Sequence, residues 1–286
     1  MNAIILAAGT SSRFVPLCYE TPKGLLEVKG EVLIERQIRQ LKEAGISEII
    51  IVVGYMAEKF IYLTDEFGVK LVVNEDYNRY NNTSSLIRVI DDLDDTYLCS
   101  SDNYFPNNVF LGCPKDSYYS ALYVEGETGE YCLSTDAYDN IVGVTLGGAN
   151  SWYMIGHAFF NKEFSARFRE IMKEEYTNEQ TRQGYWEDVY IRYINQLPSM
   201  KIQKYNSHEI EEFDTLDELR AFDTSYIDDT RSLLIKNICY EHGWREKELH
   251  GFEKGQSNKH GHAFAFYVGK SAYLYNSSNE VKIRKV

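Results

Sequence analysis

The stretch LAAGTSSRF, residues 6–14, sets Gly9, Thr10, Ser11 and Ser12 ahead of Arg13, and Lys23 follows within PKGLLEVKG, residues 22–30. A glycine-containing loop that leaves a strand offers backbone N–H groups to phosphate oxygens. Two cations close behind add charge-assisted hydrogen bonds to the same anion. The GxxxxGK[ST] spacing of a Walker loop is absent, and an ordinary strand–helix turn with two solvated cations is the alternative. Asp102, at the end of TYLCSSDN, offers a carboxylate of the kind that takes Mg²⁺ together with phosphate oxygens; its alternative is a cap on the next turn. In NSWYMIG and GYWEDVY, Trp152, Tyr153, Tyr185 and Trp186 stand beside Glu187 and Asp188. Aromatic faces with nearby carboxylates bind a quaternary ammonium, whereas simple core packing is the alternative, for Tyr153 above all. The six histidines form no ligand cluster, His260 and His262 being merely two apart, and no Ser–His–Asp arrangement presents itself.

These residues need elements to position them. Ala3–Ala8 is an apolar run too short for a membrane span, which needs about 20 residues, and its flanks are not those of a secretory signal. It reads as a buried strand. A helix over Val32–Gly45, a strand in EIIIVVG, a helix in MAEKFIYLTDEFG, a strand in KLVVNE, a helix in SSLIRVIDDL and a strand in TYLCSSDN follow. Such alternation predicts an α/β fold, a Rossmann-like doubly wound and mostly parallel sheet. Ligands of such sheets sit beyond the carboxyl ends of the strands, which puts the Gly9–Arg13 loop, Gly54, Asn74 and Asp102 on one rim. Short strand-like runs dominate from about 118 to 160, then helices are expected in KEFSARFREIMKEEY and YWEDVYIRYINQL, a strand in MKIQKYN and a helix in TLDELRAFD capped by Thr215. The character changes after Tyr226, with a helix in DDTRSLLIKNICYEHG and a hairpin around Gly269 and Lys270.

The 286 residues allow a sizeable core, and 44% hydrophobic with 26% charged residues is ordinary for a globular protein. A net charge of -13 excludes general affinity for nucleic acid or anionic membrane, both of which reward basic patches. The five scattered cysteines, an odd count, read as reduced thiols of a cytoplasmic protein.

LAAGTSSRF with the following PK resembles the signature of the sugar-phosphate and alcohol-phosphate nucleotidyltransferases, roughly LAAGxGxR and then PK. The resemblance implies that Leu6, Ala7, Ala8, Gly9, Thr10, Ser11 and Ser12 hold a nucleotide's base and phosphates and that Arg13 and Lys23 are catalytic, the lysine contacting phosphate. Ser11 departs from the family's glycine and narrows the loop's conformations, because glycine visits positive φ freely. NEDYNRYNNTSSL, SSDNYF and EEFDTLDEL resemble, in the same order, segments of bacterial CTP:phosphocholine cytidylyltransferases, so that the similarity spans residues 1 to about 225. It implies transfer of a cytidylyl group from CTP to phosphocholine with Mg²⁺ as cofactor, for cell-surface decoration. It carries the second metal ligand, beside Asp102, onto Asp214, and base and ribose contacts onto Asn81, Asn82, Ser84 and Ser85. For Asp214 the acid on the cap side of the next helix is the alternative, and for the NNTSSL residues a helix N-cap.

On this basis residues 1–228 form a nucleotidyltransferase domain with the acceptor-binding part at about 115–200, where Trp152, Tyr185, Trp186, Glu187 and Asp188 are the expected acceptor contacts. Residues 229–286 form a short appendage that resembles the first strands of choline-kinase-like lobes through its KGQSN segment and supplies no chemistry of its own. Phosphoethanolamine, 2-aminoethylphosphonate or a sugar 1-phosphate are the rival acceptors, and a non-catalytic nucleotide-binding regulator is the rival class. A homodimer and a choline kinase, fused or separate, stand as candidate partners.

Overall fold

The first strand runs Asn2–Ala7 and pairs in parallel with Ile49–Val53 on one side and Thr96–Ser100 on the other, Ile4 lying opposite both Ile50 and Leu98. Burial of nearly every residue explains why these strands read as unbroken apolar runs rather than alternating ones. The sheet has seven strands in the order Lys201–Lys204, Tyr118–Thr135, Ile141–Phe160, Thr96–Ser100, Asn2–Ala7, Ile49–Val53 and Lys70–Val73. Ile141–Phe160 is antiparallel to both of its neighbours, and the other pairings are parallel. This is the mixed α/β architecture expected. The computed structural model describes residues 1–256, 261–279 and 282–286; part of KGQSN, and His260, lie outside the described residues.

The chain forms two units, residues 1–9 with 33–212, and residues 10–32 with 213–286. In the first unit the Leu33–Glu43 helix buries Leu33, Ile34, Ile38 and Leu41, the stripe expected from their spacing. The short strand-like runs expected between 118 and 160 are instead two long strands of 18 and 20 residues, paired over most of their length. Register shifts interrupt the pairing in several places, and Gly126, Gly147 and Gly156 take positive φ there. Each bulge breaks the two-residue alternation, so one long strand looks like several short ones in sequence. The helix expected in SSLIRVIDDL is an α-turn, Thr83–Leu86, followed by a 3₁₀ stretch, Ile87–Asp92, broken at Val89. Lys162–Glu175 and Trp186–Tyr193 are helical as expected.

In the second unit, Glu27–Val28 and Glu31–Val32 form a tight hairpin whose two turn residues, Lys29 and Gly30, both have positive φ, as a type I′ turn requires. Leu216–Phe222 is a helix with a capping box between Thr215 and Glu218. Ser232 caps the helix Leu233–His242, which ends at the left-handed Gly243. Four antiparallel strands follow, Leu249–Lys254, Ala263–Val268, Ser271–Asn276 and Ile283–Lys285, with the expected hairpin at Gly269 and Lys270. Among the described residues no helix is long and apolar enough to cross a membrane.

Candidate functional site

Within the second unit the two signature cations meet one acid. Arg13 Nη1 lies 2.7 Å from Asp214 Oδ2, and Lys23 Nζ lies 3.4 Å from Asp214 Oδ1. Lys23 is only 5% exposed, held in a 3₁₀ turn that starts after Pro22, whereas Arg13 is 73% exposed. The carboxylate of Asp214 is therefore not the cap of the next helix. That role belongs to Thr215 and Glu218, and Asp214 contributes to it only a backbone N–H, donated to Glu218 at 2.7 Å. An ion pair as exposed as that of Arg13 contributes little stability, and burying a lysine against a single carboxylate has a desolvation cost. The cluster gathers two cations at one place in a chain that is acidic overall, and cations are what a polyphosphate demands.

The loop before this cluster has one unusual backbone. Ser11 sits at φ +49°, and its carbonyl accepts a hydrogen bond from the Phe14 N–H at 2.8 Å. A serine thus adopts the left-handed conformation for which the resemblance supplies a glycine, a sparsely populated region for residues with a Cβ. Leu6 and Ala7 complete the strand of the first unit, Ala8 is buried with its carbonyl bound by Tyr55 N–H, and Gly9 and Thr10 are exposed.

In the first unit, Asp102 is half-buried in the turn between Thr96–Ser100 and the short strand Asn103–Tyr104. Glu211–Glu212 pairs antiparallel with that short strand, and Asn103 Nδ2 lies 3.5 Å from Glu212 Oε2. Gly54 is where the backbone must be bare: a Cβ there would come within 2.7 Å of Tyr77 Cβ and 3.0 Å of Ala8 Cβ. The NNTSSL residues divide. Ser84 and Ser85 are buried, and both hydroxyls accept from Asn74 Nδ2, at 2.8 and 3.0 Å. The two hydroxyls hold the buried Asn74, the third residue of this polar knot. Asn81 and Asn82 are half-buried; Asn82 accepts from Trp186 N–H at 2.8 Å and donates to Glu187 at 3.2 Å.

The expected acceptor residues divide as well. Trp186 is 3% exposed, with Tyr119 stacked on it at 5.6 Å and Phe160 and Phe168 edge-on at 5.5 and 6.1 Å. It packs as a core residue, in keeping with the packing alternative; the first helical position after Tyr185 points it inward. Tyr185 is exposed and lines, with Asp188, Gln180, Thr181 and Arg192, a cavity of about 390 Å³. Trp152 and Glu187 are not in that lining. Trp152 is half-buried, with the Lys204 ammonium 5.7 Å from the centre of its ring, and Lys204 is in turn paired with Asp139 at 2.7 Å. Tyr153 is half-buried opposite Leu122.

The two acids are fixed by tyrosines from the long Tyr118–Thr135 strand. Tyr119 donates to Glu187 at 3.1 Å and Tyr131 to Asp188 at 2.8 Å, while the other oxygen of Asp188 accepts from Tyr185 N–H at 2.8 Å. Burial pushes the Glu187 carboxyl up to about 7, against the opposing hydrogen bonds of Asn82 and Tyr119. Tyr119, Tyr131, Lys204 and Glu212 were not legible as site residues. The period-two placement of Tyr119 and Tyr131 on one strand face was the available signal, and the bulges obscure it.

Residues 3–107 match the family model of the MobA-like NTP transferase domain. Over 230 residues the chain is 34% identical to the 2-aminoethylphosphonate cytidylyltransferase of Lancefieldella rimae, covering 79% of this chain and 93% of that one. It is 32% identical over 223 residues to the choline-phosphate cytidylyltransferase of Streptococcus pneumoniae, covering 78% and 97%. The solved structure of CTP:phosphocholine cytidylyltransferase from S. pneumoniae superposes with a TM-score of 0.75, over 78% of this chain and 98% of that one. The inositol-1-phosphate CTP transferase from T. maritima, at 14% identity and a TM-score of 0.59 over 76% and 90%, shares the fold alone. A signature loop with its paired cations, the sheet that carries it, and near-complete coverage of those relatives agree: the chain is a nucleotidyltransferase and belongs to the family of the choline-phosphate and 2-aminoethylphosphonate cytidylyltransferases.

Proposed function

We propose that this enzyme transfers a cytidylyl group from CTP to phosphocholine, giving CDP-choline and pyrophosphate. A phosphate oxygen of the acceptor attacks the α-phosphorus, and the bond from that phosphorus to the bridging oxygen of pyrophosphate breaks. The nucleophile is already anionic, so the chain's residues have to neutralise and align charge rather than remove a proton. The observation that carries the proposal is the meeting of Arg13 and Lys23 at Asp214. Arg13 and Lys23 bind the triphosphate, with the loop from Leu6 to Ser12 and Asn81 and Asn82 toward the nucleoside.

Among the described residues no three His, Cys, Asp or Glu side chains gather as a metal cluster. Mg²⁺ keeps water and takes one or two carboxylates plus substrate phosphates, and Asp102 and Asp214, the ligands that the resemblance implies, are each a hard carboxylate of that kind. Bound there, the ion would neutralise phosphate charge.

For the acceptor, Trp152 supplies an aromatic face over which a cation already stands, that of Lys204. Glu187, Asp188 and Glu212 supply carboxylates and Tyr185 an exposed ring. A second acceptor is favoured by a specific observation: with Trp186 in the core, acids outnumber open aromatic faces, which suits a primary ammonium such as that of 2-aminoethylphosphonate. The deciding experiment is pyrophosphate release with CTP and, in turn, phosphocholine, phosphoethanolamine, 2-aminoethylphosphonate and glucose 1-phosphate. Phosphocholine is expected to give the highest kcat/KM. Preference for the phosphonate would replace the acceptor and keep the class, and no release with any acceptor would favour a regulator that binds nucleotide. The cytoplasm is the proposed location, which thiols at Cys99, Cys113, Cys132 and Cys239 support. A kinase acting on choline is the proposed source of phosphocholine, and a homodimer the proposed assembly.

A further inference from the structure

We infer that the C-terminal segment from Tyr226 onward is a positioning element for Lys23, fixing the affinity for the nucleotide although it supplies no group to the reaction. The inference rests on the proposed contact between Lys23 and the triphosphate. Within the second unit, Lys23 is suspended between two anchors. On its N-terminal side, the Tyr19 hydroxyl donates to the Ala263 carbonyl at 2.8 Å, and the Tyr19 ring lies 4.3 Å from that of His262. The adjacent Glu20 carboxylate accepts from the Ser232 hydroxyl and, at 3.2 Å, from Leu234 N–H. On its C-terminal side, the Glu27 carbonyl accepts from the Tyr226 hydroxyl at 2.7 Å and from Arg231 Nη1 at 2.6 Å. Each anchor is three or four residues from Lys23, and every partner comes from the last 61 residues of the chain, 226–286.

A cavity of about 150 Å³ lies beside these bonds, lined by Leu17, Glu20 and Glu27 from one side and Tyr226, Arg231 and Ser232 from the other. Beside that cavity the hydrogen bonds, with the Tyr19–His262 ring contact, are directional ties between the 19–27 stretch and the C-terminal segment. The relatives described above are covered almost whole by about four-fifths of this chain, so this chain carries sequence that they lack.

The test removes bonds from the C-terminal side and leaves the signature residues intact. The double variant Tyr226→Phe/Ser232→Ala loses the donors to Glu27 and Glu20. Its KM and calorimetric Kd for CTP with Mg²⁺ are expected to rise about tenfold, with kcat changed by less than about threefold. Tyr226→Phe/Ser232→Thr, which restores the hydroxyl at 232 and its helix cap, is expected to recover about half of the loss on a logarithmic scale. Tyr240→Ala, at a side chain 91% exposed in the same segment, should move neither quantity. Lys23→Ala serves as the reference and should raise the CTP Kd more than the double variant does. If the double variant melts at a lower temperature yet binds CTP normally, while Lys23→Ala binds it weakly, the segment is merely structural and the inference falls alone. If Lys23→Ala itself binds CTP normally, the proposed phosphate contact falls and takes the inference with it.

Discussion

The cations of the signature segment and the aromatics of the acceptor region met different fates in the fold. Arg13 and Lys23 stand at one carboxylate contributed from nearly two hundred residues later. Trp186, embedded in an equally suggestive stretch, is a core side chain beneath Tyr119, Phe160 and Phe168. The difference is one of competing uses. A tryptophan is a large apolar body that the core will take whenever the helix turns it inward. A lysine at 5% exposure has no such use, because burying its charge needs a reason supplied by a partner.

The strongest way to break this contrast is at the acids. Asp102→Asn and Asp214→Asn are each expected to lower turnover by at least about a thousandfold in a protein that still folds, as loss of a metal ligand would. Near-normal pyrophosphate release by either folded variant would return that aspartate to a structural role.

Next come the two tryptophans. Trp186→Ala should destabilise the fold by about 3–5 kcal/mol, seen as a large drop in melting temperature, because it opens a cavity among buried rings. Trp152→Ala should melt almost as the parent does, yet raise KM for phosphocholine roughly tenfold to thirtyfold with little change for CTP. If the two phenotypes are exchanged, the assignment of core and site between these rings is reversed.

A smaller effect is expected from pH. With its carboxyl raised to about 7, Glu187 loses its charge as pH falls through neutrality, so the acceptor's KM should climb between about pH 8 and pH 6. Glu187→Gln should show a KM that is high throughout and flat over the same range. The stability linkage has the opposite sense: a carboxyl raised from 4.5 favours the folded state at low pH, and this contribution disappears as pH rises from 4.5 through 7. An unchanged pH profile in the variant would remove Glu187 from acceptor binding.

The smallest expected effect is at Ser11. Glycine there would relieve a left-handed serine at about 1 kcal/mol while adding freedom to the unfolded chain. Ser11→Gly should therefore shift stability by less than about 1 kcal/mol and turnover by less than about twofold. A larger loss of turnover would mean that the serine side chain, and not just the loop's shape, serves the nucleotide.

Much of the fold was legible because buried parallel strands and capped helices leave one-dimensional marks. Asn2–Ala7, Ile49–Val53 and Thr96–Ser100 are apolar runs, and Thr215 and Glu218 spell out a capping box. The hairpin Tyr118–Thr135 and Ile141–Phe160 was not legible at its true length, because every bulge resets the alternation. Nor were the partners of the site residues. That Ser84 and Ser85 would hold Asn74, or that Tyr119 and Tyr131 would hold Glu187 and Asp188, depends on register across strands and on helix rotation. Local pattern does not encode either one.

The second unit is built from two stretches, 10–32 and 213–286, separated by 180 residues of other structure. Contacts so distant along the chain are slow to form, since a long loop must close before any of them is made. On a ribosome adding about 5–20 residues each second, Lys23 emerges roughly ten seconds or more before Asp214 exists to meet it. The segment around Lys23 is thus made well before its acid partner. A nascent chain that has reached residue 212 holds Arg13 and Lys23 without Asp214, so the charge cluster closes only after the sequence of the first unit is complete.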